Sequence, residues 1–285
     1  MAAAEAGAVR MGHPAVSETR VRPLAANVRK IAGLSRGAGV EVAWRECEHD
    51  RVGPTGARFS WRGVPLRRRD GGSGRLRVAS RGISEARRTQ VFEPERVVEL
   101  ACEMQTLAVE GGLPYRQATA GVLLGWARSA LGDPAAGCHD LETALAAYRR
   151  TGAASELPHF LILYADAARM AGLTEVGQRA LDEARRLASS RPSCVTPEID
   201  RLAAALLLQA GGEPAAAERH LRTALAIARD RDALALELRA AADLRRLELA
   251  NGRTGDAARV LRSVVEKFTE GHRLADLRDA IELLR

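Results

Sequence analysis

Shifted against itself by 40 residues, this chain aligns over its second half. Gly132 falls on Gly172, Gly212 and Gly252; Leu141 falls on Leu181, Leu221 and Leu261; Ala144 falls on Ala184, Ala224 and Val264. Small residues recur at Gly137, Gly177, Ala217 and Ala257. Two upstream columns hold as well: Ala127, Ala167, Leu207 and Leu247, and Leu124, Tyr164, Ala204 and Leu244. An ungapped recurrence of this length means one local unit used four times. A period in this range marks arrays of small supersecondary units.

Each unit reads as two helices. A glycine closes the first, because it accepts the left-handed backbone of a helix C-terminus. A start signal follows: Asp133-Pro134, Glu213-Pro214, or the hydroxyl residues Thr174 and Thr254. An acidic or hydroxyl side chain there accepts free N–H groups, and proline at the first helical position loses no hydrogen bond. Positions 137, 141, 144, 145 and 148 then line one stripe of the second helix. Small residues at 137 and 144 let the partner helix approach, and Leu141 fills the space between them. The pattern predicts first helices near 114–131, 155–171, 196–210 and 233–251. It predicts second helices near 134–150, 174–189, 214–230 and 254–269, with an extra second-type copy near 94–110. One hairpin cannot bury its own apolar face, so the copies are expected to stack. The expected fold is all-α: an α-solenoid of antiparallel hairpins, with a half repeat at 94–112. Full repeats follow at 113–152, 153–192, 193–232 and 233–272, and a capping helix at 273–285.

Within the hairpin, a small residue at 125, a small one at 137, a large one at 141 and a small one at 144 resemble the tetratricopeptide signature. Gly125, Ala165 and Ala205 keep the first of these positions, and Arg245 breaks it, which predicts looser packing in the fourth unit. The usual tetratricopeptide unit is shorter than 40 residues, so the helices or linkers are longer here. Residues 91–285, ending in "FTEG…ADL..A..LL", also resemble the C-terminal repeat region of bacterial signalling proteins. Those carry a cyclase domain and an ATPase domain ahead of tetratricopeptide repeats. The resemblance implies a regulatory or protein-interaction module and carries neither catalytic activity across.

Charge divides the chain. Residues 1–90 hold 18 Lys and Arg against 8 Asp and Glu, so the whole excess of +7 lies in that third. The segment is rich in Gly, Arg, Ser and Pro, lacks sustained periodicity, and reads as disordered. An unusual start site or a change of reading frame would also produce so abrupt a loss of pattern. "LRRRD" at 66–70 suggests a phosphate-contacting arm, but Phe59 and Trp61 stand alone and supply no stacking platform. Nucleic acid is therefore not the expected partner. Four scattered cysteines without a CxxC pair, and no apolar run of about 20 residues, point to a cytoplasmic chain with free thiols.

Catalytic motifs are missing from the text of the sequence. Only Lys30 and Lys267 are lysines, and neither follows the glycine run of a phosphate loop. No G-x-G-x-x-G opens a helix. Cys47 and His49 lack the second pair of ligands that zinc needs. His139, His159, His220 and His272 are dispersed and read as exposed or locally hydrogen-bonded. Cys102 and Cys138 fall on amphipathic helices and behave as small hydrophobes. No enzyme activity, cofactor or metal is expected.

One pair of columns varies while the core columns hold. Column 126 reads Trp126, Asp166, Leu206 and Arg246; column 129 reads Ser129, Arg169, Gln209 and Leu249. Positions three apart share a helix face, so this face is either solvent or a groove for a protein partner. Trp126, Ser129, Asp166, Arg169, Gln209 and Arg246 are the candidate groove residues. The function expected is a non-enzymatic interaction module. The alternatives are a remnant of a multidomain cyclase/ATPase and a transcription-linked regulator with a basic arm.

Overall fold

The structure is a computed structural model that describes residues 94–190, 196–253, 255–269 and 274–285. These residues lie in one compact unit, Val42–Arg285. Expectations for residues 1–93, including Cys47, His49 and the arginine run, lie outside the described residues, as do those for Thr254 and His272.

Ten helices occur among the described residues, and no strand does. They are α1 (Pro94–Glu110), α2 (Pro114–Ala130), α3 (Pro134–Arg150), α4 (Leu157–Met170), α5 (Thr174–Ser190), α6 (Thr196–Gln209), α7 (Pro214–Asp230), α8 (Leu234–Ala250), α9 (Ala257–Val265) and α10 (Ala275–Glu282). Consecutive helices pack in pairs along the chain. Helices α2, α4, α6 and α8 are the predicted first helices; α3, α5, α7 and α9 are the second. Each first helix also touches the next: α2 with α4, α4 with α6, and α6 with α8; α10 then packs on α8 and α9.

The repeated columns are the core. Leu141, Leu181, Leu221 and Leu261 are all at most 2% exposed. Ala144, Ala184, Ala224 and Val264 are buried with them, as are Gly137, Gly177, Ala217 and Ala257. Two glycines cross between α2 and α3. A Cβ on Gly125 would sit 2.9 Å from the Leu141 nitrogen, and one on Gly137 would sit 2.5 Å from the Gly125 carbonyl oxygen. Backbone meets backbone there, so no side chain fits.

Helix ends keep their own rhythm. Among the described residues a positive φ closes a helix at 112, 132, 152, 172, 211, 232 and 252, at intervals of 20 or 21 apart from the 39 between 172 and 211. Two positions correct the sequence reading. The left-handed residue after α6 is Gly211 (φ 76), not Gly212. Gly212 is small for another reason: a Cβ there would run into the Leu207 side chain and lie 2.9 Å from the Leu207 carbonyl oxygen. At the end of α7, Asp232 takes φ 51 without a glycine, which a short polar side chain tolerates.

The start signals divide similarly. Asp133 accepts a bond from the Ala136 amide at 3.4 Å, whereas the Glu213 side chain caps nothing. The fourth second helix is shorter than expected, Ala257–Val265 against 254–269. Its first amide, Ala257 N–H, donates to Glu248 Oε1 on α8 at 3.1 Å. A carboxylate from the neighbouring helix thus replaces the local cap. Replacing Glu248 by alanine is expected to cost about 1 kcal/mol, as for a lost N-cap, with glutamine retaining most of it. Urea unfolding of the two variants tests this, and equal losses would remove the capping role. Arg245, which breaks the small-residue column, lies mostly buried near Glu248 and reaches the Leu283 carbonyl at 3.4 Å.

Between α3 and α4 sits the main aromatic cluster. Tyr148 is fully buried, 5.6 Å from Tyr115 and edge-on to Phe160 at 4.9 Å. Its hydroxyl accepts from the Glu156 amide at 3.3 Å, which fixes the entry into α4. Burial, and then the Glu156 carboxylate, push the Tyr115 phenol far above its ordinary range.

Candidate functional site

Four first-type helices and α10 bring a line of charged side chains together. Each i, i+3 spacing puts an acid and an arginine on one helix face. On α4, Arg169 donates to Asp166 Oδ1 through Nε (3.1 Å) and a terminal nitrogen (2.9 Å). On α6, Arg201 makes the same fork to Glu198 at 2.8 to 3.1 Å. On α8, Arg246 donates to Asp243 at 2.7 Å.

The helices are also tied to one another. Trp126 Nε1 on α2 donates to Asp166 Oδ2 at 3.1 Å. Gln209 Nε2 on α6 donates to the Arg169 carbonyl at 3.0 Å. Arg201 on α6 donates to Asp243 on α8 at 2.9 Å, and Arg239 on α8 donates to Asp276 on α10 at 2.6 Å. Every junction between successive first helices therefore carries a polar contact, and the line runs from Trp126 to Asp276. Arg201 is the central node, with Glu198 and Asp243 bonded to it and the charge of Asp166 close by.

The structure places the candidate groove residues unequally. Asp166, Arg169, Gln209 and Arg246 lie on this line, and Trp126 anchors its start although only 8% exposed. Ser129 stands apart: it is buried at the α2–α3 crossing and its hydroxyl donates to the Gly125 carbonyl at 3.0 Å. Of the hydrophobic members of the two columns, Leu206 is buried and Leu249 is 49% exposed. Glu198, Arg201, Asp243, Arg239 and Asp276 were not read as site residues from the sequence. A signal was present, an acid followed three residues later by arginine at 166/169, 198/201 and 243/246. Trp126 to Asp166 and Gln209 to Arg169 keep the 40-residue offset, whereas the contacts of Arg201 with Asp243 and Arg239 with Asp276 fall at 42 and 37, so a strict 40-residue shift does not align those two.

The electrostatics follow from this pairing. Burial by itself would raise the Asp166 carboxyl; Arg169, Arg201 and the Trp126 N–H outweigh it and hold it below its ordinary 3.8. Asp243 behaves likewise, burial opposing and Arg201 and Arg246 prevailing. Arg201 is driven well above its usual value by Glu198 and Asp243 despite burial. Carboxylates so held stay ionised at neutral pH, which suits recognition and cohesion, and a proton relay near pH 7 needs the opposite tuning.

A depressed carboxyl contributes stability above its unfolded value, and that contribution disappears as pH falls through the lower folded value. The stability gap between the wild type and an Asp166→Asn, Asp243→Asn double variant should be widest above about pH 4 and close below it. Urea midpoints at pH 6 and pH 3 measure this; an unchanged gap would show that neither carboxylate is stabilised by its arginines.

Away from this line, ion pairs also link successive second-type helices, Arg149 on α3 to Glu183 on α5 and Arg222 on α7 to Asp256 just before α9. His220 Nδ1 lies 3.0 Å from Asp200 Oδ1, and His139 is exposed. His159, expected to be exposed or locally hydrogen-bonded, is 5% exposed beside Phe160 at an inward position of α4. Cys138 is buried and Cys102 partly so; burial raises both thiols, as small core residues require. Among the described residues no group of three or more His, Cys, Asp or Glu side chains is placed to hold a metal ion. No helix among them is long and apolar enough to cross a membrane. No protein-family model matches this chain, and no curated protein matches it.

Proposed function

We propose that the chain is a non-catalytic α-solenoid of tetratricopeptide type that binds a protein partner along its first helices. The observation carrying this reading is a contrast along one face. Core columns 137, 141 and 144 barely change from copy to copy. The polar line along α4, α6 and α8 repeats an acid–arginine pair, but at a register that shifts against those core columns, and it leaves Asp243 and Arg246 20% and 36% exposed. Conserved packing beneath a shifted, partly exposed polar face is what an array needs to present distinct groups to one extended partner. The signalling context comes from the resemblance of residues 91–285 and from nothing else.

The test is capture from the native cell with the full chain as bait, alongside a variant with alanine at Trp126, Asp166, Arg169 and Arg246. A partner retained by the wild type and lost by the variant supports the groove. A partner held equally by both removes this face as the site. Incubation with ATP and Mg²⁺ addresses the enzyme-remnant alternative, and release of phosphate or cyclic nucleotide would overturn the non-catalytic reading.

A further inference from the structure

The second-type helices α1, α3, α5, α7 and α9 carry a charge that changes sign along the chain. Helix α1 holds four glutamates and one arginine. Helices α3 and α5 hold acids and arginines in equal number. Helix α7 holds three arginines against two acids, and α9 holds two arginines and no acid. Single columns show the same reversal. Column 139 reads Glu99, His139, Arg179, Arg219 and Arg259; column 142 reads Cys102, Glu142, Asp182, Arg222 and Arg262. Positions three apart share a helix face, and all of these side chains except the half-buried Cys102 are exposed.

The five faces point the same way. Ala101, Leu141, Leu181, Leu221 and Leu261 are buried at equivalent positions, so the exposed columns lie together on the opposite side. The ion pairs of Arg149 with Glu183 and of Arg222 with Asp256 join neighbours in this row. At the basic end, Arg219, Arg259 and Arg262 make no ion pair among the described residues. At the acidic end, Glu99 pairs with the exposed Arg96 of its own helix.

We propose that this face pairs with the same face of a second copy, antiparallel, about a two-fold axis. A surface acidic at one end and basic at the other complements itself when turned end for end, and an isologous contact does this with one patch used twice. Helices α7 and α9 of one copy then lie over α3 and α1 of the other. The neutral α5 lies at the axis, where its mixed charges meet their own symmetry mates. Parallel pairing would set arginine against arginine. The contact is polar and exposed, so the association is weak and sensitive to salt. It uses the second-type helices and is independent of the partner groove on the first-type helices.

Sedimentation equilibrium of the full chain tests this at about 0.1 M and about 1 M salt, between which the screening length falls from about 10 to about 3 Å. A monomer–dimer equilibrium is expected at the lower salt, shifted to monomer at the higher. The variant Arg259→Glu, Arg262→Glu makes both ends of the face acidic, and Glu95→Arg, Glu99→Arg makes both ends basic. Each alone should associate about a hundredfold more weakly than the wild type, and an equimolar mixture of the two should recover association, which misfolded variants could not do. A wild-type monomer at every concentration, a dimer indifferent to salt or to these substitutions, a mixture that fails to recover, or growth beyond two chains would each overturn the proposal. So would a monomer whose arginine end retains duplex DNA, because nucleic acid would then occupy that surface.

Discussion

Replacing Arg201 by alanine is expected to destabilise the protein by about 3 kcal/mol, the scale for breaking a buried ion pair. The Arg201 side chain is 17% exposed and its partner Glu198 is 8% exposed, so water compensates little. Removing the arginine leaves the Glu198 carboxylate buried and Asp243 with Arg246 alone. The variant should also loosen α6 from α8, since Arg201 to Asp243 is the ion pair joining them on this face. The cost belongs to the stranded acids, and a second comparison separates it from lost packing. Arg201→Met keeps most of the volume and should remain unstable; adding Glu198→Gln and Asp243→Asn should recover much of the loss. Equilibrium urea unfolding measures all three. A loss under about 1 kcal/mol, the range of exposed pairs, would mean that the node contributes no more than a surface ion pair.

Gly137→Ala should also destabilise, by about 2 kcal/mol net, although alanine is the better helix former. Helix propensity favours alanine over glycine by about 1 kcal/mol. Against this stands the crossing of α2 and α3, where the added Cβ would lie 2.5 Å from the Gly125 carbonyl oxygen and 2.6 Å from the Ser129 nitrogen. Both are backbone atoms, so the helices must separate, and overpacking of that kind costs about 3 kcal/mol. Removing the Ser129 hydroxyl by Ser129→Ala relieves only the contact with that side chain and should restore little. At Gly177 the nearest atoms are the Leu206 methyls at 2.9 Å, with the Ala165 carbonyl oxygen at 3.3 Å. Gly177→Ala should therefore cost less than Gly137→Ala, and the reverse order in thermal unfolding would contradict this account of the crossing.

Much of the fold was legible because its information is local. Pro134, Leu141 and Ala144 specify a start, a filler and a close approach within a few turns of one helix, and the 40-residue shift multiplies that signal. The predicted starts of α1, α2, α3, α5, α6 and α7 coincide with those observed. The failures came where a residue answers to a particular side-chain contact that a position rule does not contain. Gly212 resembles a helix-closing glycine but serves the Leu207 side chain, while Gly211 makes the turn. Ser129 shares a face with Trp126 on paper, yet the glycine crossing draws it inward. Glu248 caps α9 from the preceding helix, which a local N-cap rule does not anticipate.

The candidate site divides along the same line. Trp126, Asp166, Arg169, Gln209 and Arg246 could be picked out because they vary at a regular spacing. That Trp126 donates to Asp166, or that Arg201 joins Glu198 to Asp243, depends on helices about 40 residues apart in sequence lying side by side.

By itself, the amino-acid order determined that the chain makes paired helices of repeated length with leucine and small residues at their seams, because periodicity and backbone preference act within a hairpin. Only the tertiary structure decided which charged groups meet, which glycine turns and which merely makes room. Those outcomes depend on distances between separate helices, and a side chain's partner across such a gap is set by the offset and rotation of the packed helices.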